Sequence, residues 1–83
     1  MTQPITRQRE AVRLPYLQTA QAEFSLSQTQ RRLAHRQRSE ALRWEAEGNR
    51  ANYLHCILEA RRLWRDAKWH FQRAKINRNR SFQ

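Results

Sequence analysis

The stretch that decides the fold is NRANYLHCILEARRLWRDAKWHFQRAKIN, residues 49–77. Its apolar residues recur at alternating spacings of four and three, which on a helix of 3.6 residues per turn keeps them in one stripe. The stripe consists of Tyr53, Ile57, Ala60, Trp64, Ala67, Phe71 and Ala74. Cations occupy much of the remaining circumference: Arg61, Arg62, Arg65, Lys68, Arg73 and Lys75. The stretch therefore predicts an amphipathic helix that packs by one stripe and presents positive charge elsewhere.

The dipeptide in front of this helix predicts a tight turn. Gly48 is the only glycine of the chain, and glycine suits the left-handed position that ends a helix. Asn49 is a good N-cap for the helix that follows. Since a short loop makes its two helices antiparallel neighbours, we expect an all-α fold, an antiparallel helical hairpin with a short N-terminal helix or arm. A dimer stays open as an alternative, because so short a chain buries a thin core.

The 83 residues are expected to form a single small helical domain. Residues 1–15 read as a basic arm, with a short helix from Arg7 to about Leu14. Pro15 suits the first position of a second helix. Residues 16–47 form one helix or two, and we favour a break near 25–27, where Ser25 or Ser27 begins a possible capping box. Residues 78–83 read as a basic tail.

The segment before the turn carries only a loose apolar stripe. We expect this stripe to pack on that of residues 49–77. Its members are Leu26, Leu33, Ala34, Ala41, Leu42 and Trp44.

Positive charge is the strongest global feature. The chain has 17 Lys and Arg against 7 Asp and Glu, a formal net charge of +10. Such an excess attracts polyanions, and the planar guanidinium of Arg suits phosphate. The sequence predicts nucleic-acid contacts, with DNA and RNA both open and no motif for base readout. The predicted contact residues are Arg31, Arg32, Arg36, Arg38, Arg43, Arg62, Arg65 and Arg73.

Trp69 lies far from the apolar stripe, roughly 160° from its middle at 100° per residue. An aromatic ring among arginines can stack on a base or enter a partner's groove. Leu54, Leu58 and Ile76 lie on the same side, and Trp69, Leu58 and Ile76 form a predicted partner-binding surface. The alternative is that Trp69 packs under the N-terminal segment, against Leu14, Leu17 or Phe24.

Catalytic and metal-binding patterns are not visible. The chain has no Gly-rich phosphate loop, no nucleophile elbow and no Cys-x-x-Cys. His35, His55 and His70 lack the spacing of three or four that a helical metal site needs. We therefore expect a protein that is not an enzyme and uses neither cofactor nor metal.

Location follows from two further observations. No apolar run approaches the roughly 20 residues that span a bilayer, and binding to a membrane surface is disfavoured by the small residues of the stripe. The single cysteine, Cys56, suits a reducing compartment. We expect a cytoplasmic protein, with association with the nucleoid as an option.

The second half of the chain resembles the ANR family, small enterobacterial regulators of AraC-type activators. The resemblance covers about 30 residues. It is carried by Glu45-x-Glu47-Gly48-Asn49, Tyr53, Ala60-x-x-Leu63-Trp64-x-x-Ala67, Ala74 and Asn77. It implies a transcriptional modulator that binds a regulator protein rather than reading DNA itself. The sequence thus supports a bacterial or phage regulatory protein that binds nucleic acid, with a protein-binding adaptor for an acidic partner or transcription regulator as the alternative.

Overall fold

The chain forms a hairpin of two long helices. The computed structural model describes residues 5–82, with side chains from residue 14 onward. Helix α1 (Ile5–Ala46) and helix α2 (Arg50–Arg80) pack against each other, and no strand occurs in the described residues. Contacts between the helices join Phe24 to Phe71 and Ser27 to Ala67, so the helices are antiparallel. The predicted all-α antiparallel hairpin is confirmed. Residues 1–4 of the predicted arm and residue 83 of the predicted tail lie outside the described residues.

The turn between the helices forms as predicted. Gly48 has φ +75°, a left-handed conformation that strains any residue with a Cβ atom. The amide of Asn49 donates to the carbonyl of Trp44 over 2.9 Å, which closes the end of α1. The side chain of Asn49 then accepts from the amide of Asn52 over 3.1 Å, which caps α2.

Small residues at every seventh position bring the two helices together. We call these two rows the seam. They are Ala20, Ser27, Ala34 and Ala41 in α1, and Ala60, Ala67 and Ala74 in α2 with Ser81 directly after its end, all of them buried. Residues seven apart lie almost above one another on a helix, and side chains this small let the helix backbones approach closely. The Ser27 hydroxyl reaches the backbone carbonyl of Ala67 over 2.9 Å.

The favoured break near residues 25–27 is wrong, because α1 is continuous from Ile5 to Ala46. Ser27 does not cap a helix. Its hydroxyl is used across the seam instead, and its small side chain is needed there for the close approach. Serine weakens a helix without breaking it, so packing against α2 overrides the local signal.

The segment predicted as an arm also belongs to α1. From residue 5 onward this segment is part of the long helix, and Pro15 lies inside the helix rather than at its start. Proline removes one backbone donor, but its fixed φ is compatible with helix. In the turn that follows, the hydroxyl of Thr19 donates to the Pro15 carbonyl over 2.9 Å. At the other end, α2 continues to Arg80, three residues into the predicted tail, and Ser81 is buried.

The apolar stripe predicted for the first half is only partly correct. Ala34 and Ala41 are buried in the seam, whereas Leu26, Leu33 and Leu42 are exposed. A seam of small residues leaves no room for these three leucines, which therefore lie outside the core. Trp44, the last member of the predicted stripe, is half-buried.

Candidate nucleic-acid interface

The seam divides the surface of the hairpin into two long faces, and one of them is strongly basic. Residues seven apart in a helix point in nearly the same direction and form a row. A contact made by one residue therefore shows on which side of the hairpin the rest of its row lies. We call this surface the cationic face. Its residues are Leu17, Phe24, Arg31 and Arg38 in α1, and Leu54, Ile57, Arg61, Trp64, Lys68, Phe71, Lys75 and Arg78 in α2.

Cations and aromatic rings alternate on the cationic face. The guanidinium of Arg31 lies 5.4 Å from the centroid of the Trp64 ring, across the two helices. The ammonium of Lys75 lies 4.7 Å from the centroid of Phe71, whose ring meets Phe24 at 6.0 Å. These contacts hold the positive groups beside the rings while the charges remain exposed to solvent.

Two adjoining grooves run between the helices on the cationic face. The larger has a volume of about 460 Å³ and an apolar floor of Leu17, Phe24 and Phe71, with Lys75 and Arg78 at its rim. The smaller has a volume of about 190 Å³, and its lining includes Arg31, Trp64, Lys68 and Phe71. Phe71 is common to both. A ring-lined groove bordered by cations can hold phosphates at its edge and a base on its floor.

The opposite side of the hairpin carries both signs of charge. We call this surface the ion-paired face. Its residues are Leu26, Leu33, Arg36, Glu40 and Arg43 in α1, and Glu59, Arg62, Asp66, Trp69, Arg73 and Ile76 in α2. Three of the seven acidic residues of the chain lie here, whereas Glu45, near the turn, is the one carboxylate in the rows of the cationic face between residues 14 and 82.

Ion pairs neutralise much of the charge on this second face. Arg43 bonds to Glu40 over 2.8 Å, and Arg62 bonds to Glu59 and, over 3.2 Å, to Asp66. The hydrogen bonds from Arg62 lower the pKa of Glu59 below its ordinary value, and Glu59 in turn raises the pKa of Arg62. Such exposed pairs add little stability, but they leave these guanidinium groups already occupied by carboxylates.

The eight arginines predicted as nucleic-acid contacts are not brought together on one surface. Arg31 and Arg38 lie on the cationic face, and Arg32 and Arg65 lie on the outer edges of their helices. The other four lie on the ion-paired face: Arg36, Arg43, Arg62 and Arg73. Of these, Arg43 and Arg62 are bound to carboxylates.

Sequence reasoning missed several residues of the cationic face. Trp64 and Phe71 were assigned to the core, yet Trp64 is half-buried and Phe71 is exposed at its edge. The missed cations are Arg61, Lys68, Lys75 and Arg78. A signal was present, because Arg61, Lys68 and Lys75 are spaced by seven residues and therefore form one row.

Trp69 is 57% exposed and lies on the ion-paired face. Its ring meets His70 edge-on at 4.9 Å, and the guanidinium of Arg73 lies 5.6 Å from its centroid. The alternative of packing against Leu14, Leu17 or Phe24 is wrong, because the last two line the groove on the opposite face. Ile76, which is 42% exposed, shares the ion-paired face with Trp69, whereas Leu58, which is 62% exposed, lies in the row of Arg65 on the outer edge of α2. Leu54 lies on the cationic face. The predicted partner-binding residues are therefore not all brought together on one surface.

The histidines do not converge on a metal site. His70 binds Glu23 across the seam, and His35 meets the ring of Trp64 edge-on. Among the described residues, no three side chains of the metal-binding types come together. Neither helix, over its described length, has a stretch apolar enough to cross a membrane. Comparison with models of known protein families, with curated proteins and with solved structures gives no match.

Proposed function

We propose that this chain is a small, non-enzymatic regulatory protein of the cytoplasm that binds nucleic-acid phosphates through its cationic face. The observation that carries this proposal is the unequal division of charge between the two faces. Between residues 14 and 82, the rows of the cationic face hold a single carboxylate, Glu45 near the turn, and the acidic residues of α2 lie on the other side. The cations that remain available to an outside anion are therefore concentrated on one surface.

The shape of the surface supports the same proposal. Arg61, Lys68 and Lys75 form a straight row with about 10 Å between successive residues, the rise of seven residues in a helix. Arg31 and Arg38 form a parallel row on the facing helix. The two rows flank the ring-lined grooves along a rod of 73 × 13 × 12 Å. A polyanion laid along the rod meets cations at regular intervals, which gives affinity without sequence preference.

Salt-dependent binding tests the proposal with two matched variants. One variant removes three charges from the cationic face (Arg61→Gln, Lys68→Gln, Lys75→Gln), and the other removes three from the ion-paired face (Arg36→Gln, Arg43→Gln, Arg62→Gln). For duplex DNA, each phosphate contact contributes about 0.9 to the slope of log K against log salt concentration. We expect the first variant to reduce this slope by about 2 to 3 and the second by less than about 1.

Either of two results would refute the proposal. The first is that the unmodified chain binds neither DNA nor RNA at about 100 mM salt. The second is that both variants reduce the slope equally, which would mean that only net charge matters. Circular dichroism of both variants confirms that the helices are intact, and parallel titrations with duplex DNA, duplex RNA and single strands identify the preferred polymer.

The second candidate function is a protein-binding adaptor that modulates a transcription regulator or another acidic partner. The observation that favours it is the exposure of Leu58, Trp69 and Ile76 along α2. Aromatic residues and arginines are enriched in protein interfaces, and Trp69 has Arg73 over its ring. In this case Trp69→Ala leaves the helix content unchanged and abolishes partner binding, while nucleic acid does not bind at physiological salt.

A further inference from the structure

We infer that a second copy of this chain docks on the ion-paired face, so that the folded unit is a dimer of two hairpins. The inference does not depend on nucleic-acid binding. It rests on the amount of surface that one hairpin exposes, on the composition of its core and on the division of charge between its faces.

A single hairpin exposes more surface than a compact protein of its mass. Its accessible area is 6930 Å², whereas a compact monomer of 10.1 kDa exposes about 5,300 Å². The excess is of the order of 1,600 Å². A standard protein interface covers about 800 Å² on each partner, so the excess is ample for one such contact. The radius of gyration, 19.6 Å, also exceeds the roughly 12 Å of a compact chain of this length.

The core of the hairpin is made of small side chains. Leu63 is the one large aliphatic residue that is buried among the described residues, and the other buried apolar residues are alanines and Cys56. Alanine removes little apolar area from water compared with leucine or phenylalanine. A short chain with so thin a core needs more buried apolar area to be stable, and a second copy of the same chain supplies it.

The division of charge selects the face. In a two-fold dimer the same patch lies on both subunits, so the patch must be complementary to itself. Two cationic faces brought together would place like charges opposite each other, which is unfavourable. The ion-paired face carries four arginines against the three carboxylates Glu40, Glu59 and Asp66, so two copies of it meet with little net charge.

The ion-paired face also has the apolar area that an interface needs. Leu26 and Leu33 are 43% and 40% exposed along α1, and Trp69 and Ile76 are 57% and 42% exposed on the same face of α2. Large apolar and aromatic residues surrounded by charged ones match the usual anatomy of an interface, an apolar centre with a polar rim. Docking there leaves both cationic faces free, on opposite sides of the dimer.

Sedimentation equilibrium of the full chain, without nucleic acid, tests the inference with a matched pair of variants. Leu33→Lys places a charge on the ion-paired face, and Leu54→Lys places one in the row of Lys68 and Lys75 on the other face. The two leucines are equally exposed, at 40% and 44%. We expect the unmodified chain to be a dimer at about 100 µM, Leu33→Lys to weaken the dimer at least about tenfold, and Leu54→Lys to change it by less than about twofold.

A second measurement covers the case in which Leu33→Lys fails to fold. In a chain whose only tryptophan is Trp69 (Trp44→Phe, Trp64→Phe), we expect acrylamide to quench the fluorescence less as protein concentration rises and the dimer forms. A helical chain that stays monomeric up to about 100 µM would overturn the inference. A dimer that Leu54→Lys dissociates and Leu33→Lys does not would also overturn it. The same holds for a dimer in which acrylamide quenches Trp69 as strongly as in the monomer. Failure to bind nucleic acid would leave all these readouts unchanged.

Discussion

The hydroxyl of Ser27 donates a hydrogen bond of 2.9 Å to the backbone carbonyl of Ala67, forty residues away on the other helix. A serine side chain is short, so this bond forms only where the two helix backbones lie close together. Both residues belong to rows of small side chains that repeat every seven positions. The pair therefore marks the point at which the spacing and the register of the hairpin are most tightly defined.

Side-chain size at position 27 is expected to matter more than the hydrogen bond. Ser27→Ala keeps the close approach and removes one bond, so we expect the free energy of unfolding to fall by about 1 kcal/mol or less. Ser27→Leu forces the helices apart, and we expect a larger loss, of about 2 to 3 kcal/mol. Urea unfolding followed by circular dichroism measures both. Equal stability of the two variants would show that the helices are not held closely at this level.

Asn77 offers a route to a more stable hairpin. Its side chain is buried, and its Nδ2 atom has no hydrogen-bond partner among the described residues. Because an unsatisfied buried polar group is costly, we expect Asn77→Leu to raise the free energy of unfolding by about 1 to 2 kcal/mol. Asn79, two residues further on, is exposed and serves as the control: Asn79→Leu should change stability by less than about 0.5 kcal/mol. A destabilised Asn77→Leu would indicate that the amide is needed.

Gly48 tests the backbone of the turn separately from its packing. A Cβ atom at this position would meet nothing within 4 Å, so the only cost of substitution is the left-handed φ of +75°. We expect Gly48→Ala to cost about 1 kcal/mol. Gly48→Asn should cost less, since asparagine adopts this conformation more readily. Thermal unfolding of the two variants gives the order, and an alanine variant as stable as the parent would contradict the strain.

The pairing of Arg62 with Glu59 predicts a shift in titration. Arg62 lowers the pKa of Glu59, so the NMR midpoint of this carboxylate should lie below the ordinary glutamate value. Since the pKa is depressed in the folded state, the contribution of the pair is present above the unfolded-state pKa and is lost as pH falls through the folded-state pKa. Arg62→Gln should move the midpoint upward. Arg65→Gln, a neighbour that is not paired with Glu59, should leave it in place.

The hairpin was predictable because its signals are local. Neighbouring members of the stripe that begins at Tyr53 are three or four residues apart, and Gly48 and Asn49 are adjacent. The continuity of α1 was not predictable in the same way, since Ser27 suggests a helix start when read only with its neighbours. Its actual partner, Ala67, becomes apparent only when the seven-residue rows of both helices are compared.

The candidate site was predictable in its charge and not in its location. A net charge of +10 indicated a polyanion partner from composition alone. Whether a given arginine is available to an outside anion depends on whether a carboxylate lies beside it on the same face of the hairpin. Arg62 and Lys68 are six residues apart in one helix, yet Arg62 is bound to acids while Lys68 borders a groove on the other face.

The row of small side chains has a consequence for how this protein can change. Because the buried side chains between the helices, those of the seam together with Cys56, Leu63 and Asn77, set the spacing of the helices, the residues on the two outer faces are not needed to hold that spacing. Substitutions on the outer faces can therefore replace one binding specificity with another while the rod keeps its geometry. The hairpin is in this sense a scaffold on which the two faces can diverge independently.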